Sequence, residues 1–337
     1  MSAAAALRFG LFGGARSAGS GPDADSHGYR SFIDYVIEAD RLGFEALFMV
    51  EHHFTGVGQV SASLNLLSYL AARTGRIRLG TAVVVLPWHN PILLAEQAAT
   101  VDLLSGGRLD LGIGKGYRQS EFEGFCIPQA EADQRFEEAV AVLRKCWGSN
   151  GRFSHHGVRW HYENVVVEPR PVQRPHPPLW MAAGSRSSVE RAAHEGFHLL
   201  LDQIAPVDLS LQRVRWYRDA LAAAGRSRDS GRIALARALQ FADSDTQRRD
   251  QRQVRRRVLE RIGDLARGEG AERYHNAVSL ADADLAADDA ALIGSTGEII
   301  DRLRVLATGG VDMVLLIDPA GSIESLQRFA REVMPAF

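Results

Sequence analysis

Eight short runs rich in β-branched and apolar residues recur along the chain, each followed by a longer stretch with helical spacing. This alternation constrains the fold more than any other feature, because strands separated by helices pair in parallel through right-handed crossovers. The runs are RFGLF (8–12), EALFMV (45–50), IRLGTAVVVL (77–86), RLDLGI (108–113), PLWMAA (178–183), GFHLLL (196–201), RIALARALQF (232–241) and VDMVLLI (311–317). Helices are expected through Phe32, Ile33, Val36 and Ile37, over 61–73, from Pro91 onward and over 136–147. Proline suits a first helical turn, where its missing N–H breaks no bond. Eight such repeats in 337 residues predict an α/β fold, a (β/α)8 TIM barrel, as one domain over 1–337.

Two stretches break the rhythm. Residues 152–178 carry prolines and the alternating HYENVVVEP, which reads as a hairpin insertion before strand five. Residues 243–293 form a long, lid-like insertion after strand seven, on the barrel face that carries chemistry, and are expected to act as a mobile lid. Arg248, Arg249, Arg252, Arg255, Arg256 and Arg257 fall within it at helical spacing and read as a solvated helix face. IGSTGE (293–298) is expected to open the last helix, with Ser295 or Thr296 as its N-cap.

The chain has 39 Lys and Arg against 41 Asp and Glu, a net charge of −2. No global basic field is available for nucleic acid or an acidic membrane surface, so neither is an expected partner. No run of eighteen apolar residues is present to span a bilayer. Cys126 and Cys146 are the only cysteines, too few for a disulfide framework or a four-cysteine metal centre. With no signal-like start in MSAAAALRFGLF, a cytoplasmic location is expected.

The second run drives straight into Glu51, His52, His53 and Phe54. Ionisable side chains at a strand's C-terminal end are either solvated, capping backbone groups, or part of a site. Alternation along the strand puts His52 with Phe48 and Val50, and His53 with Met49. Adjacent histidines that point apart make a poor metal pair, and HExxH spacing is absent, so no metal is expected. Further candidates stand at the other strand ends: Thr81 and Ala82 on strand three, then Trp88, His89 and Asn90 in its loop. Gly112, Gly114 and Gly116 alternate at the end of strand four around Lys115, with Tyr117 beyond; glycine there allows a planar ring or phosphate to approach the backbone. The pattern is neither GxGxxG nor a P-loop. Gly184, Ser185, Ser187 and Ser188 open a helix after strand five, where an anion is favoured.

Taken in order, EHHF and AEQAATVDLLSGGRLDLGIGKGY (95–117) resemble the bacterial luciferase-like flavin-dependent monooxygenases. The resemblance covers most of the chain and is strongest from Arg41 to Tyr117. It implies that His52 lies near the reacting edge of the flavin as acid or base, with Glu51 ordering the loop. Lys115 takes the place of a phosphate-binding arginine, and Arg135 that of a second. Ser185 and Ser188 correspond to the phosphate loop after strand five. Gly114 replaces a cysteine of luciferase and Gly184 an acidic residue, departures that leave the substrate unassigned. The implied cofactor is reduced FMN, reacting with O2 through a C4a-(hydro)peroxyflavin, with Phe48, Phe54 and Trp88 as the apolar enclosure. No nicotinamide fingerprint is present, so a separate NAD(P)H:flavin reductase is the expected partner. A homodimer through Ala-rich segments 64–72 and 93–100 is also implied. Two alternatives stay open on the same fold: hydride transfer with F420, and a non-catalytic flavin-binding partner subunit.

Overall fold

The computed structural model describes residues 6–56, 59–266, 288–318 and 320–337. In chain order the strands are β1 (Arg8–Gly13), β2 (Ala46–Met49), β3 (Arg78–Thr81), β4 (Val84–Val85), β5 (Leu109–Gly114), β6 (Phe153–His156), β7 (His161–Val165), β8 (Leu179–Ala182), β9 (His198–Leu201), β10 (Ile233–Phe241), β11 (Ala291–Gly294) and β12 (Met313–Ile317). The helices are α1 (Ala24–Leu42), α2 (Ser63–Arg73), α3 (Pro91–Leu104), α4 (Gln119–Gly124), α5 (Ala132–Gly148), α6 (Arg186–Glu195), α7 (Val207–Ala223), α8 (Asp245–Ala266), α9 (Thr296–Thr308) and α10 (Ile323–Glu332). Eight strands, β1, β2, β3, β5, β8, β9, β10 and β12, pair in parallel and close on one another, with β12 beside β1 and β9 beside β10. This is the (β/α)8 barrel expected from the sequence, and each of the eight sequence runs supplies one of its strands.

Alternation along each strand sorts the side chains into two cores. Leu47, Met49, Leu79, Leu111, Ile113, Leu235 and Val314 point outward under the helices. Ala46, Phe48, Trp180, Leu200, Ala234, Ala236, Met313 and Leu315 fill the lumen. Phe48 meets Trp180 edge to face, centroids 5.0 Å apart and planes at 74°. Two rings fit only because their neighbours are small: a Cβ at Gly80 would fall 2.6 Å from the Phe48 ring. Burying each ring contributes on the order of 2–3 kcal/mol. Phe48 is therefore a lumen plug rather than part of a rim enclosure.

Local sequence fixes the helix ends. Asn90 caps α3, its side chain accepting from the N–H of Ile92 and Leu93, with Pro91 in the first turn. Ser185 caps α6, and Gly196 ends it at φ 75°, a left-handed conformation that glycine adopts without penalty. Ser295 and Glu298 form a reciprocal capping box at α9. That helix is not the last, because α10 follows β12.

Other departures have physical causes. The third run is broken: β3 ends at Thr81, a cis peptide joins Ala82 to Val83, and β4 then pairs with Ile113 and Gly114 at the end of β5. The hairpin expected within 152–178 is present as antiparallel β6 and β7. Glu138 of α5 pins its turn by accepting the N–H groups of Val158, Arg159 and Trp160. In the expected lid, β11 adds itself to the overhanging end of β10 (Ala238–Phe241). The arginine run is not simply solvated, since Arg255 is fully buried and donates to the Gln203 side chain and carbonyl, both at 2.8 Å. Arg248 grips Glu298 with both terminal nitrogens. The described parts of 243–293 are thus bonded onto the barrel, and the middle of that segment, 267–287, lies outside the described residues.

Candidate active site at the C-terminal mouth of the barrel

Past Met49 the chain leaves β2 and runs along the rim as Val50–Glu51–His52–His53. Glu51 is buried at 3% exposure, and a single oxygen accepts three hydrogen bonds: His53 Nε2 at 3.1 Å, Trp88 Nε1 at 2.9 Å and His89 Nε2 at 2.8 Å. Burial alone would raise this carboxyl. The bonds from His53 and His89, the charge of His89 and the indole N–H outweigh it and bring the pKa down to about 2. An ionised carboxylate only accepts, so both histidines present a protonated Nε2. Glu51 ties the β2 loop to the loop after β4.

His52 turns the other way, to a residue that reading the sequence missed. Its Nδ1 lies 3.1 Å from Oε1 of Glu121, which is 3% exposed in α4. The same oxygen accepts the backbone N–H of His53 at 2.9 Å. An ionised Glu121 can only accept, and in that arrangement a neutral His52 carries its proton on Nδ1 and its lone pair on Nε2. His52 Nε2 has no hydrogen-bond partner among the described residues. The two histidines thus reach separate carboxylates, although both lie past the end of β2, where strand alternation no longer applies. Arg118, 5% exposed, lies 3.9 Å from Glu121 and stacks against Tyr117.

Aromatic rings wall this corner. Trp88 packs against Phe122 and Phe125 with centroids 5.0 and 5.3 Å away. Phe125 meets the His53 ring at 4.8 Å and Phe54 at 5.0 Å. Phe54 leaves 61% of its surface exposed and holds φ 56°, an uncommon conformation for a bulky residue. Phe54 and Trp88 stand at the rim where the enclosure was expected, and Phe122 and Phe125 extend it.

The glycines at and just beyond the end of β5 pack against the β3–β4 segment. A Cβ at Gly112 would lie 1.8 Å from the Thr81 carbonyl oxygen, at Gly114 2.5 Å from Val83, and at Gly116 2.7 Å from Val85. The close approach they permit is that of the neighbouring strand, so the space beside them is filled by protein. Thr81 is likewise committed: its hydroxyl donates to the Gly112 carbonyl at 2.7 Å and accepts the Gly112 N–H at 2.9 Å. The Ala82 N–H donates to the Met49 carbonyl, and its side chain packs at the upper edge of the lumen. Asn90 is exposed, its oxygen engaged by the α3 cap and by the Tyr162 hydroxyl at 3.2 Å.

The remaining candidates lie after β5, at the start of α5 and at the start of α6. Ser185 accepts the Ser188 N–H, and the Ser188 hydroxyl bonds the Ser185 carbonyl. The N–H groups of Ser185, Arg186 and Ser187 have no acceptor among the described residues. Arg191 of α6 reaches Glu137 and stacks on Phe136, a contact between the second turns of α5 and α6. Arg135 on that part of α5 pairs with Glu131 at 2.9 Å, and Lys115 pairs with Asp133. Free helix N-terminal donors, two hydroxyls and two cations whose acidic partners can be displaced make a donor set suited to a phosphate monoester. No group of three or more His, Cys, Asp or Glu placed to hold a metal occurs among the described residues.

The family described as luciferase-like monooxygenase matches residues 7–313. The oxygenase component of the flavin-dependent trigonelline monooxygenase of Acinetobacter baylyi is 29% identical, over 93% of this chain and 92% of its own. The FMNH(2)-dependent dimethylsulfone monooxygenase of Pseudomonas putida is 26% identical, over 88% and 85%. Among solved structures, monooxygenase RslO1 from Streptomyces bottropensis superposes with a TM-score of 0.78 at 27% identity, over 98% of this chain and 99% of its own. F420-dependent enzymes share the fold too, at 16% and 20% identity, a likeness of fold alone. With a barrel that closes as the sequence demands and a family match across nearly its whole length, the chain belongs to the luciferase-like monooxygenases.

Proposed function

We propose that this chain is the oxygenase of a two-component system, using reduced FMN from a separate NAD(P)H:flavin reductase, with O2, to oxygenate a small organic or acyl substrate. The observation that carries the reading is His52 at the catalytic mouth: Nδ1 lies 3.1 Å from the buried Glu121, and Nε2 has no hydrogen-bond partner among the described residues. The names of the flavin-dependent relatives support it. Reduced FMN, when bound, supplies the two electrons that activate O2.

The chain's residues have separate tasks. Ser185, Ser188 and the free N–H groups of α6 bind the phosphate, with Gly184 shaping the loop and Lys115 and Arg135 adding charge. Thr81, Ala82, Gly114, Gly116, Tyr117, His89 and Asn90 shape the flavin side of the mouth through backbone placement, since most of their polar side-chain atoms are bonded within the protein. Glu51 orders the loop that carries His52. His52 gives or takes a proton at Nε2 as the substrate is oxygenated, and Glu121 keeps that nitrogen in the right tautomer. Trp88, Phe122, Phe125 and Phe54 keep water from the reacting edge.

We further propose a single domain acting as a homodimer in the cytoplasm. Tyr69 of α2 and Leu93, Leu103 and Leu104 of α3 are 43–60% exposed, apolar surface suited to a second copy. Among the described residues no helix is long and apolar enough to cross a membrane, and both thiols are free.

Anaerobic equilibrium dialysis against reduced FMN and reduced F420, followed by NAD(P)H oxidation assays with and without an added flavin reductase, tests the reading. Retention of FMN and no NAD(P)H oxidation by the chain alone are expected. Retention of F420 without FMN would replace the proposal with hydride transfer, and failure to retain either would refute a flavin-binding role, the partner-subunit alternative included.

A further inference from the structure

Beneath the phosphate loop lies a buried guanidinium that touches the loop only through the Gly184 carbonyl. Arg213 of α7 is fully buried, and its side chain joins two strand ends: Nε donates to the Gly184 carbonyl at 2.8 Å, and Nη1 to Asp202 at 2.7 Å. Its Nη2 is buried with no hydrogen-bond partner. An orphaned donor at full burial is unfavourable, so the other two bonds must hold the side chain where it is.

Asp202 is itself immobilised. Its Oδ1 accepts the N–H groups of Ile204 and Ala205. Arg237 of β10 donates to the Asp202 carbonyl at 3.2 Å and to the Ala205 carbonyl at 3.0 Å, and Arg255 of α8 clamps Gln203. Three buried arginines from three elements therefore fix the loop after β9, and Arg213 transfers that rigidity to the loop after β8.

The consequence for the site follows from peptide geometry. In a trans peptide the C=O and N–H point in opposite directions. With the Gly184 carbonyl drawn inward by Arg213, the Ser185 N–H of the same peptide must face outward, toward the mouth. It has no acceptor among the described residues, and it stands beside the free donors of Arg186 and Ser187. We propose that Arg213 is a positioning residue for flavin phosphate recognition: it holds the Gly184–Ser185 peptide so that the loop selects phosphorylated over unphosphorylated flavin. This rests on the proposed FMN reading.

The test is the ratio of affinities for reduced FMN and reduced riboflavin, measured anaerobically by equilibrium dialysis on the full chain. Wild type should prefer FMN at least tenfold. Lysine cannot span two acceptors as the guanidinium fork does, so Arg213→Lys should lower the ratio about tenfold while leaving riboflavin affinity unchanged. Asp202→Asn, which loses the charge that anchors Arg213 but keeps an acceptor for Ile204 and Ala205, should lower it severalfold. Riboflavin binding in the same sample reports that each variant is folded. A wild-type ratio preserved in both variants would overturn the role of Arg213, as would equal loss of both ligands. If wild type itself shows no preference, the FMN reading fails, a different outcome from a preference that survives Arg213→Lys.

Discussion

Replacing Glu51 by glutamine removes one negative charge from a buried position and keeps its shape. The carboxyl drops from an ordinary 4.5 to about 2. A folded-state value below the unfolded one means that the group stabilises the protein above pH 4.5, and that this is lost as pH falls toward 2. The full contribution at pH 7 is about 3 kcal/mol, of which about 1 is gone by pH 4. The same size follows from structure, since three hydrogen bonds to one charged oxygen give way to weaker bonds to a neutral amide. Urea unfolding at pH 7 should therefore show Glu51→Gln less stable by about 3 kcal/mol, with the gap narrowing to about 2 at pH 4. A variant within about 0.5 kcal/mol of wild type at pH 7, or a gap that does not change with pH, would refute the carboxylate's role as the hub of the rim.

Other consequences are more local. Gly112→Ala should not yield soluble folded protein, because its Cβ would stand 1.8 Å from the Thr81 carbonyl oxygen, backbone that cannot give way; circular dichroism of the expressed variant checks this. At the opposite end of the barrel, burial pushes the His198 imidazole down to about 4, with Asp110 opposing and Arg232 adding to the shift. The unfolded chain takes up that proton near pH 6.5 and the folded one does not, so up to about 3 kcal/mol of stability is lost between pH 6.5 and 4. His198→Asn, which still accepts the Arg232 N–H, should flatten that part of the stability–pH curve, and an unchanged slope would contradict the assignment. Glu138→Ala should free the β6–β7 hairpin, seen as faster amide exchange at Val158, Arg159 and Trp160, with global stability reduced by about 1–3 kcal/mol.

Much of the barrel is written in periodicity, which is why eight runs mark eight strands. What periodicity does not encode is volume. That Phe48 fills the lumen beside Trp180 depends on Gly80 across the sheet, a pairing that no local pattern reveals. The β5 glycines show the same limit: their spacing advertises close approach, but only the register with Thr81, Val83 and Val85 tells what approaches. β11 escaped because ALIG is four residues long and reads as a helix lead-in. At the site, Glu51 and His52 announce themselves as costly polar residues at a strand end. Glu121 does not, for RQSEFEGF looks like an amphipathic turn until folding brings it to a histidine 69 positions away. Nor does any local pattern mark Arg213 and Arg237, which are buried and hold loops.

The most direct test of the central claim is to load the protein anaerobically with reduced FMN, mix it rapidly with oxygenated buffer and follow the absorbance. Wild type should give a transient species distinct from both reduced and oxidised FMN. In His52→Ala it should decay at least tenfold faster with FMN still retained. Reoxidation no different from that of free FMN, or a transient whose lifetime is indifferent to His52, would contradict the account.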